Sequence, residues 1–195
     1  MPFKPVETGA NPLPSDAVRL LAASMREDIP LGIVCPLAFP APIAPAAASA
    51  EHPLSLDQML NHAKNAAAYG SPMVVESAGG LLTPYAPTFT SLDLAEALDF
   101  PVLLIAKNAL GTINHTALAV AEIRRRHVPF LGTILVTTTK VRTPDQDSNL
   151  SIINATSGHL PLGILPFHDS PTPQSLADSL SASIDLGQIL SRLAI

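Results

Sequence analysis

The hydrophobic residues of this chain fall into short continuous runs, and amphipathic segments lie between them. Met73–Val75, Pro101–Ala106 and Phe130–Val136 carry apolar residues at successive positions, which predicts strands buried on both faces. The segments between the runs space their apolar residues three or four positions apart, as helices do. This alternation of buried strands and helices indicates an α/β fold, with a parallel sheet and helices on both of its faces.

Capping residues and turn residues give the predicted helices approximate bounds. Ser15, Ser55 and Ser91 are candidate N-caps, and Gly70 is a candidate C-terminal stop. The proline-rich segment from Leu31 to Ala50 reads as an irregular loop. The pattern predicts helices over about 16–25, 55–69, 92–98, 112–126 and 149–156 and from about residue 174, short extended segments at 3–6, and a last strand at 162–165.

Composition excludes several classes of protein. The net charge of −5 argues against non-specific binding of nucleic acid. A lone cysteine, Cys35, rules out a disulfide framework within one chain, and the N-terminus has no apolar signal-peptide core. No run reaches the roughly 18 apolar residues that a membrane span needs. We therefore expect a cytoplasmic protein with no membrane segment, folded as a single domain over residues 1–195.

A carboxylate followed by small residues marks the end of one predicted strand. Glu76 directly follows Met73–Val75, and Ser77, Ala78 and Gly79 come next. Ligands of parallel sheets bind beyond the carboxyl ends of the strands, and small residues let a ligand approach the backbone. An ion-paired acid before an ordinary glycine turn would give the same pattern, so both interpretations stay open here.

A second turn has the pattern of an anion site. Leu110-Gly111-Thr112-Ile113-Asn114-His115 follows the strand Pro101–Ala106 and begins a helix. The free N–H groups of a helix start favour a negatively charged ligand. A plain glycine turn is the alternative interpretation.

Together these stretches resemble the dethiobiotin synthetase family, the ATP-dependent enzymes of biotin synthesis. The pieces stand in the family's order and near its spacing over nearly the whole chain. The matching pieces are KPVETG at 4–9, PSDA at 14–17, VVESAGGLLTP at 74–84, PVLLIAKNALGTINHTAL at 101–118 and LGILP at 162–166. The resemblance implies a P-loop NTPase-like parallel sheet.

The sequence departs from the family pattern at three places. The family's opening strand and phosphate-binding loop, G-x-x-x-x-G-K followed by Ser or Thr, are missing from these 195 residues. That difference corresponds to about 30 residues at the start of a βαβ unit. Val136 stands where the family has an Asn that helps to read adenine, and Ser77 replaces a common glycine. We therefore expect the 195 residues alone to have no appreciable ligase activity.

The resemblance also implies a reaction and its participants. In the family, 7,8-diaminopelargonate takes up carbon dioxide to form a carbamate, ATP phosphorylates the carbamate, and the second amine closes a cyclic urea. Such chemistry depends on positioning and on stabilisation of phosphoryl charge. The implied cofactor is Mg²⁺, the implied ligands are ATP, diaminopelargonate and carbon dioxide, and the implied assembly is a homodimer.

Family roles carry over to the matching positions of this chain. Lys4 is the implied catalytic cation, and Asp16 and Glu76 are the implied Mg²⁺ ligands. The substrate-binding residues are implied to be Thr8, Gly111, Thr112, Ile113 and Asn114, the last four serving a neighbouring subunit. The ATP-binding residues are implied to be Asp16, Glu76, Ser77, Ala78, Gly79, Pro166, Phe167 and His168.

Two other readings stay open at this point. A non-catalytic relative would keep the fold and the dimer surface without using ATP, and Val136 and the missing loop favour it. Intact Lys4, Asp16 and Glu76 oppose it. A related ATP-dependent amidating enzyme, such as one acting on cobyrinate, is the second reading, and the KPV and GTINH stretches argue against it.

Overall fold

A computed structural model describes residues 1–159 and 161–193 of the chain. The chain divides into two compact units, Met1–Leu98 and Asp99–Ile195. Each unit contains parallel strands with helices around them, which confirms the predicted α/β class. The single domain over residues 1–195 stays a prediction. Among the residues described, no helix is long and apolar enough to cross a membrane.

The first unit consists of short strands and helices. In chain order its elements are β1 (Pro2–Phe3), β2 (Val6–Thr8), α1 (Ser15–Ser24), α2 (Leu31–Val34), β3 (Leu37–Phe39), α3 (Pro45–Ala48), α4 (Leu56–Ala67), β4 (Val74–Val75), β5 (Pro84–Ala86), β6 (Phe89–Thr90) and α5 (Ser91–Ala97). β1 pairs with β4 and β2 pairs with β3, both in parallel, while β5 and β6 form an antiparallel hairpin.

One apolar cluster joins several of these elements. Tyr85 of β5 and Val6 of β2 are fully buried, and Met59 of α4 packs into the same cluster. The helix α4 begins where the sequence predicts, because the side chain of Ser55 accepts the N–H of Gln58 at 3.1 Å. Through Ala78, this cluster holds the loop after β4 against the body of the unit.

The second unit contains a three-stranded parallel sheet. The elements of this unit are β7 (Val102–Lys107), α6 (Thr112–Arg125), β8 (Phe130–Val136), α7 (Pro144–Ser157), β9 (Gly163–Leu165), α8 (Pro173–Ser183) and α9 (Leu186–Arg192). The strand order is β7-β8-β9, and the middle strand β8 is buried over residues 131–135, as its continuous apolar run predicts. Helices α6 and α7 pack together over buried Val120, Ile123 and Ile153.

Two of the three strands predicted to be buried are more open than expected. Val74 of β4 is 66% exposed and Ile105 of β7 is 57% exposed. Within the described residues, β4 pairs only with β1, and β7 only with β8. Each therefore lies at the edge of its sheet, and the face that carries the exposed side chain has no covering element from residues 1–159 or 161–193. Sequence alone does not distinguish an edge strand from a central one when both are apolar.

Other predicted boundaries were wrong for local reasons. The segment 31–50 is not irregular, since it forms α2, β3 and α3, and β3 gains its structure by pairing with β2. Thr90 rather than Ser91 caps α5, because its hydroxyl and the carboxylate of Asp93 form a reciprocal capping box. Helix α7 begins earlier than expected, at Pro144, whose fixed backbone suits a first helical position.

Candidate active site

The parallel pairing of β1 and β4 places Lys4 beside Glu76. Phe3 lies opposite Val75 in the register, so Lys4 and Glu76 are the next residues at the carboxyl ends of the two strands. The Glu76 N–H donates to the Phe3 carbonyl at 2.9 Å, which continues the ladder. The Lys4 ammonium in turn donates to Glu76 Oε1 at 2.8 Å.

Asp16 reaches the same ammonium from the start of α1. Its Oδ2 lies 3.2 Å from Lys4 Nζ. Ser15 was expected to cap this helix, but the position before the first turn is Pro14, which has no side-chain acceptor. The cap comes instead from Glu7 of β2, whose carboxylate accepts the N–H groups of Asp16 and Ala17 at 2.9 and 3.0 Å.

The Lys4 side chain is a buried cation with half-exposed acidic partners. Lys4 is 3% exposed, whereas the side chains of Asp16 and Glu76 are 43% and 45% exposed. Burial acts to lower the pKa of Lys4, but the hydrogen bond and charge of Glu76, together with Asp16, outweigh it and raise that pKa. Lys4 therefore stays positively charged and does not act as a base at neutral pH.

The loop after β4 is anchored at one point. Ala78 is buried, while Ser77, Gly79 and Gly80 on either side of it are exposed. The Ala78 N–H donates to the Tyr85 hydroxyl at 2.8 Å, and the Ser77 carbonyl accepts from Lys4 Nζ at 3.4 Å. The loop thus lies against the ammonium that Glu76 and Asp16 also contact.

The donor set fits a hydrated Mg²⁺ better than a metal enclosed by protein. Asp16 and Glu76 present half-exposed carboxylates to one point, and Mg²⁺ is usually held by one or two carboxylates, with water and phosphate oxygens completing its shell. In the part of the chain that the structure describes, no group of three or more His, Cys, Asp or Glu side chains is arranged to hold a metal.

The remaining predicted site residue of the first unit is Thr8, which ends β2 and is half-buried. The second unit carries the other predicted substrate residues at the start of α6. Gly111 has φ +93°, a backbone conformation that favours glycine, and Thr112 behind it is buried. Ile113 is half-buried and Asn114 is exposed.

The predicted nucleotide residues of the second unit follow β9. Pro166 is exposed, and Phe167 and His168 are half-buried. The His168 Nε2 atom is buried and has no hydrogen-bond partner among the described residues. A buried unpaired ring nitrogen has a free position for a ligand group.

A polar network lies near the ends of β7 and β8, beside Val136. Asn149 of α7 donates from Nδ2 to Asn108 Oδ1 at 2.8 Å, and Asn108 donates from Nδ2 to Thr137 Oγ1 at 3.4 Å. Both asparagines are buried. Val136 itself has no side-chain amide, but the residues that directly follow β7 and β8 carry polar groups. These are the amide of Asn108 and the hydroxyl of Thr137.

Comparisons with known proteins show the family to which the chain belongs. A family model described as an AAA domain matches residues 2–175. ATP-dependent dethiobiotin synthetase BioD of Anaeromyxobacter dehalogenans strain 2CP-1 is 40% identical over 187 residues, which are 93% of this chain and 83% of that protein. The chain belongs to the dethiobiotin synthetase family. The Bacillus thuringiensis (strain Al Hakam) protein of the same name is 31% identical over 175 residues, 86% of this chain and 70% of that protein.

Membership of the dethiobiotin synthetase family confirms the resemblance drawn from the sequence and the predicted class of enzyme. The AAA-domain match supports the P-loop NTPase-like fold class. The roles assigned to individual residues stay predictions, because membership of a family does not test them one by one.

Sequence reasoning missed two residues that shape the site. Glu7 looks like part of a turn in the sequence, yet it caps a helix that begins eight residues later. Tyr85 looks like an ordinary core aromatic, yet its hydroxyl anchors Ala78. In both cases a polar group is buried and has to find a partner, but its burial is not evident from the sequence around it.

Proposed function

We propose that this chain is an ATP-dependent dethiobiotin synthetase, a ligase of biotin biosynthesis that converts 7,8-diaminopelargonate and carbon dioxide to dethiobiotin. Besides membership of the dethiobiotin synthetase family, one structural observation supports this proposal. The buried ammonium of Lys4 lies at the carboxyl ends of two parallel strands and contacts Glu76, Asp16 and the Ser77 carbonyl. That is the edge of a parallel sheet where ligands bind.

Negative charge develops on the reacting groups at each step, and the positively charged Lys4 is suited to stabilise it. One amine of the substrate attacks carbon dioxide and loses a proton, which gives a carbamate. A carbamate oxygen attacks the γ-phosphorus of ATP and ADP leaves. The second amine then attacks the carbamoyl carbon, loses a proton and expels phosphate as the ring closes. A permanently charged ammonium stabilises the carbamate and the transferring phosphoryl group electrostatically.

Asp16 and Glu76 are proposed to hold the Mg²⁺ that accompanies ATP. The metal, when bound, supplies positive charge to the phosphate oxygens. Each carboxylate contacts Lys4 through one oxygen, and each side chain is about half exposed. Each carboxylate therefore has oxygen lone pairs free for a hydrated ion. Glu7 holds the N–H of Asp16, which fixes the backbone from which that carboxylate extends.

The other predicted residues are proposed to complete the binding of ATP and substrate. Ser77, Ala78 and Gly79 form the loop beside Lys4, and Pro166, Phe167 and His168 are proposed to line the nucleotide base. Thr8 is proposed to contact diaminopelargonate. The support for these roles is the resemblance of these stretches to the family pattern, from which Ser77 departs, together with the contact between Ser77 and Lys4.

The turn over residues 111–114 is proposed to bind the substrate carboxylate for a neighbouring subunit of a homodimer. Its support is the helix start after Gly111 and the exposed apolar side chains beside it, Leu110 at 90% and Leu118 at 62%. A cytoplasmic location is proposed from the composition alone.

The direct test is an assay with diaminopelargonate, bicarbonate, Mg²⁺ and ATP, in which dethiobiotin is measured by mass spectrometry and ADP by a coupled reaction. The chain is assayed beside a version extended by its upstream reading frame, which tests the expected need for a phosphate-binding loop. The extended version is expected to form both products in a ratio of one to one, and the 195 residues alone are expected to show no appreciable turnover. Binding of ATP or diaminopelargonate without product in either form would favour the non-catalytic reading.

A lysine variant tests the role of Lys4 in the form that is active. Lys4→Met should lower the rate about 10²- to 10³-fold, as removal of one preorganised donor does. Lys64→Met is the matched control, because Lys64 is exposed on α4. Equal rates for the two variants would remove Lys4 from the mechanism.

A further inference from the structure

The hydroxyl of Tyr85 is a buried polar group for which packing gives no reason. Tyr85 is fully buried in the apolar cluster of the first unit, with Val6, Met59 and Phe89 among its members. Its ring lies 5.8 Å from that of Phe89, and a phenylalanine would fill the same space. Burying a hydroxyl costs free energy unless a hydrogen bond offsets the loss of water.

The hydroxyl lies beside the Ser91 side chain and also contacts the backbone of the loop beside Lys4. The phenolic oxygen accepts the Ala78 N–H at 2.8 Å. Ala78 is the one buried residue within the stretch 76–80, so this bond ties an otherwise exposed loop to the core. The neighbouring carbonyl, that of Ser77, accepts from Lys4 Nζ. A continuous set of contacts therefore runs from Tyr85 through Ala78 and Ser77 to the ammonium.

We propose that Tyr85 is a positioning residue for the nucleotide-binding loop, which it holds in place through the Ala78 N–H. This inference rests on the proposed function, which assigns ATP to Ser77, Ala78 and Gly79. Because the Ala78 N–H is used by Tyr85, the loop contacts the nucleotide through the exposed groups of Ser77 and Gly79 instead. Tyr85 itself is fully buried and does not touch the ligand.

The inference separates Tyr85 from a residue that only stabilises the fold. Loss of a core packing contact would lower the free energy of unfolding without changing the affinity of the folded protein for ATP. Loss of the hydroxyl alone keeps the ring and frees the loop. The loop would then sample other positions, and binding would have to order it again.

The experiment compares Tyr85→Phe with Tyr69→Phe in the full chain. Tyr69 is the only other tyrosine, it is half-buried in a different cluster, and it lies outside the loop. Hydrogen exchange of the Ala78 amide is followed by NMR, and binding of ATP with Mg²⁺ is measured by calorimetry. Circular dichroism confirms that both variants are folded.

We expect Tyr85→Phe to speed exchange at Ala78 by at least about tenfold. It should weaken ATP binding about 3- to 10-fold, the effect of losing one hydrogen bond. Tyr69→Phe should leave both quantities unchanged. Wild-type affinity in Tyr85→Phe would overturn this inference and leave the proposed function intact. Failure of ATP to bind to both the wild-type chain and its extended version would overturn the assignment of the loop to ATP, and this inference with it.

Discussion

The carboxylate of Glu7 accepts the backbone N–H of Asp16 at 2.9 Å and that of Ala17 at 3.0 Å. A residue of a strand thereby caps a helix from outside it, because Pro14 before the helix offers no side-chain acceptor. The same short stretch carries Lys4, which contacts Asp16. The segment from Lys4 to Glu7 and the start of α1 are thus held together by two contacts that meet at Asp16.

We predict that Glu7→Gln lowers the free energy of unfolding by about 1–3 kcal/mol. The side-chain oxygen of the glutamine can accept one of the two backbone N–H groups. Its NH2 group then faces the other N–H, so that two donors oppose each other. The substitution also removes a negative charge from the positive end of the dipole of α1. Chemical denaturation followed by circular dichroism measures the change.

Ser55→Ala is the matched control for Glu7, since it removes the N-cap of α4 in the same unit. It should cost about 1 kcal/mol and should leave the affinity for Mg²⁺ with ATP unchanged. Glu7→Gln should also weaken that affinity, because Asp16 loses its fixed backbone. Equal affinities in the two variants would show that Glu7 stabilises the helix without positioning the site.

We predict that Gly79→Ala is more destabilising than Gly80→Ala. Gly79 has φ +76°, and an added Cβ would lie 2.5 Å from Thr83 Oγ1, whereas at Gly80 the nearest such atom is 4.0 Å away. The strained backbone alone costs about 1–3 kcal/mol, and the contact with Thr83 adds to it. Thermal unfolding of both variants measures the difference, and equal melting temperatures would contradict it.

Sequence patterns predicted much of the fold, because many of its features depend on residues that are close together in the sequence. The capping of α4 by Ser55 and the apolar run of β8 are each readable within a few residues, and both were confirmed. The strand β3 was missed because it forms by pairing with β2, some thirty positions earlier in the sequence. Exposure of Val74 and Ile105 was missed because it depends on which strands lie beside them.

The candidate site divides in the same way. The residue types of Lys4, Asp16 and Glu76 match a family motif, so they were found from sequence, and the structure brings them together. Glu7 and Tyr85 act on the site through backbone N–H groups, for which any acceptor of suitable reach would serve. A contact to a backbone N–H does not depend on the side chain of the residue that carries it, so a sequence motif does not reveal such a contact.

We predict that Asp16→Asn and Glu76→Gln each raise the concentration of Mg²⁺ needed for half-maximal ATP binding by at least about tenfold, because each neutralises one proposed ligand. Titration calorimetry at fixed ATP measures the change. Asp57→Asn is the control, since Asp57 is also an acid in a first helical turn but lies on α4. An unchanged Mg²⁺ requirement in both site variants would remove the metal role.

The surroundings of His159 predict a pH-dependent stability of the second unit. Burial lowers the pKa of His159, and the positive charges of Arg124 and Arg192 lower it further, against the opposing hydrogen bond with the Ser157 backbone. The Ser157 hydroxyl donates to the Ile153 carbonyl, so the ring donates from Nδ1 to Ser157 at 2.9 Å. In the neutral ring, which the lowered pKa favours, Nε2 accepts from the Thr133 hydroxyl, whose Oγ1 lies 3.0 Å away.

The folded protein therefore binds fewer protons at His159 than the unfolded chain does in the range just below the ordinary pKa of 6.5. This contribution to stability is fully present above pH 6.5 and is lost as the pH falls through the lowered folded-state pKa. Urea denaturation between pH 8 and pH 5 should show a fall on the acid side that His159→Gln reduces. His52→Gln is the control, because His52 is exposed in the first unit. The same pH dependence in wild type and His159→Gln would show that other groups cause the fall.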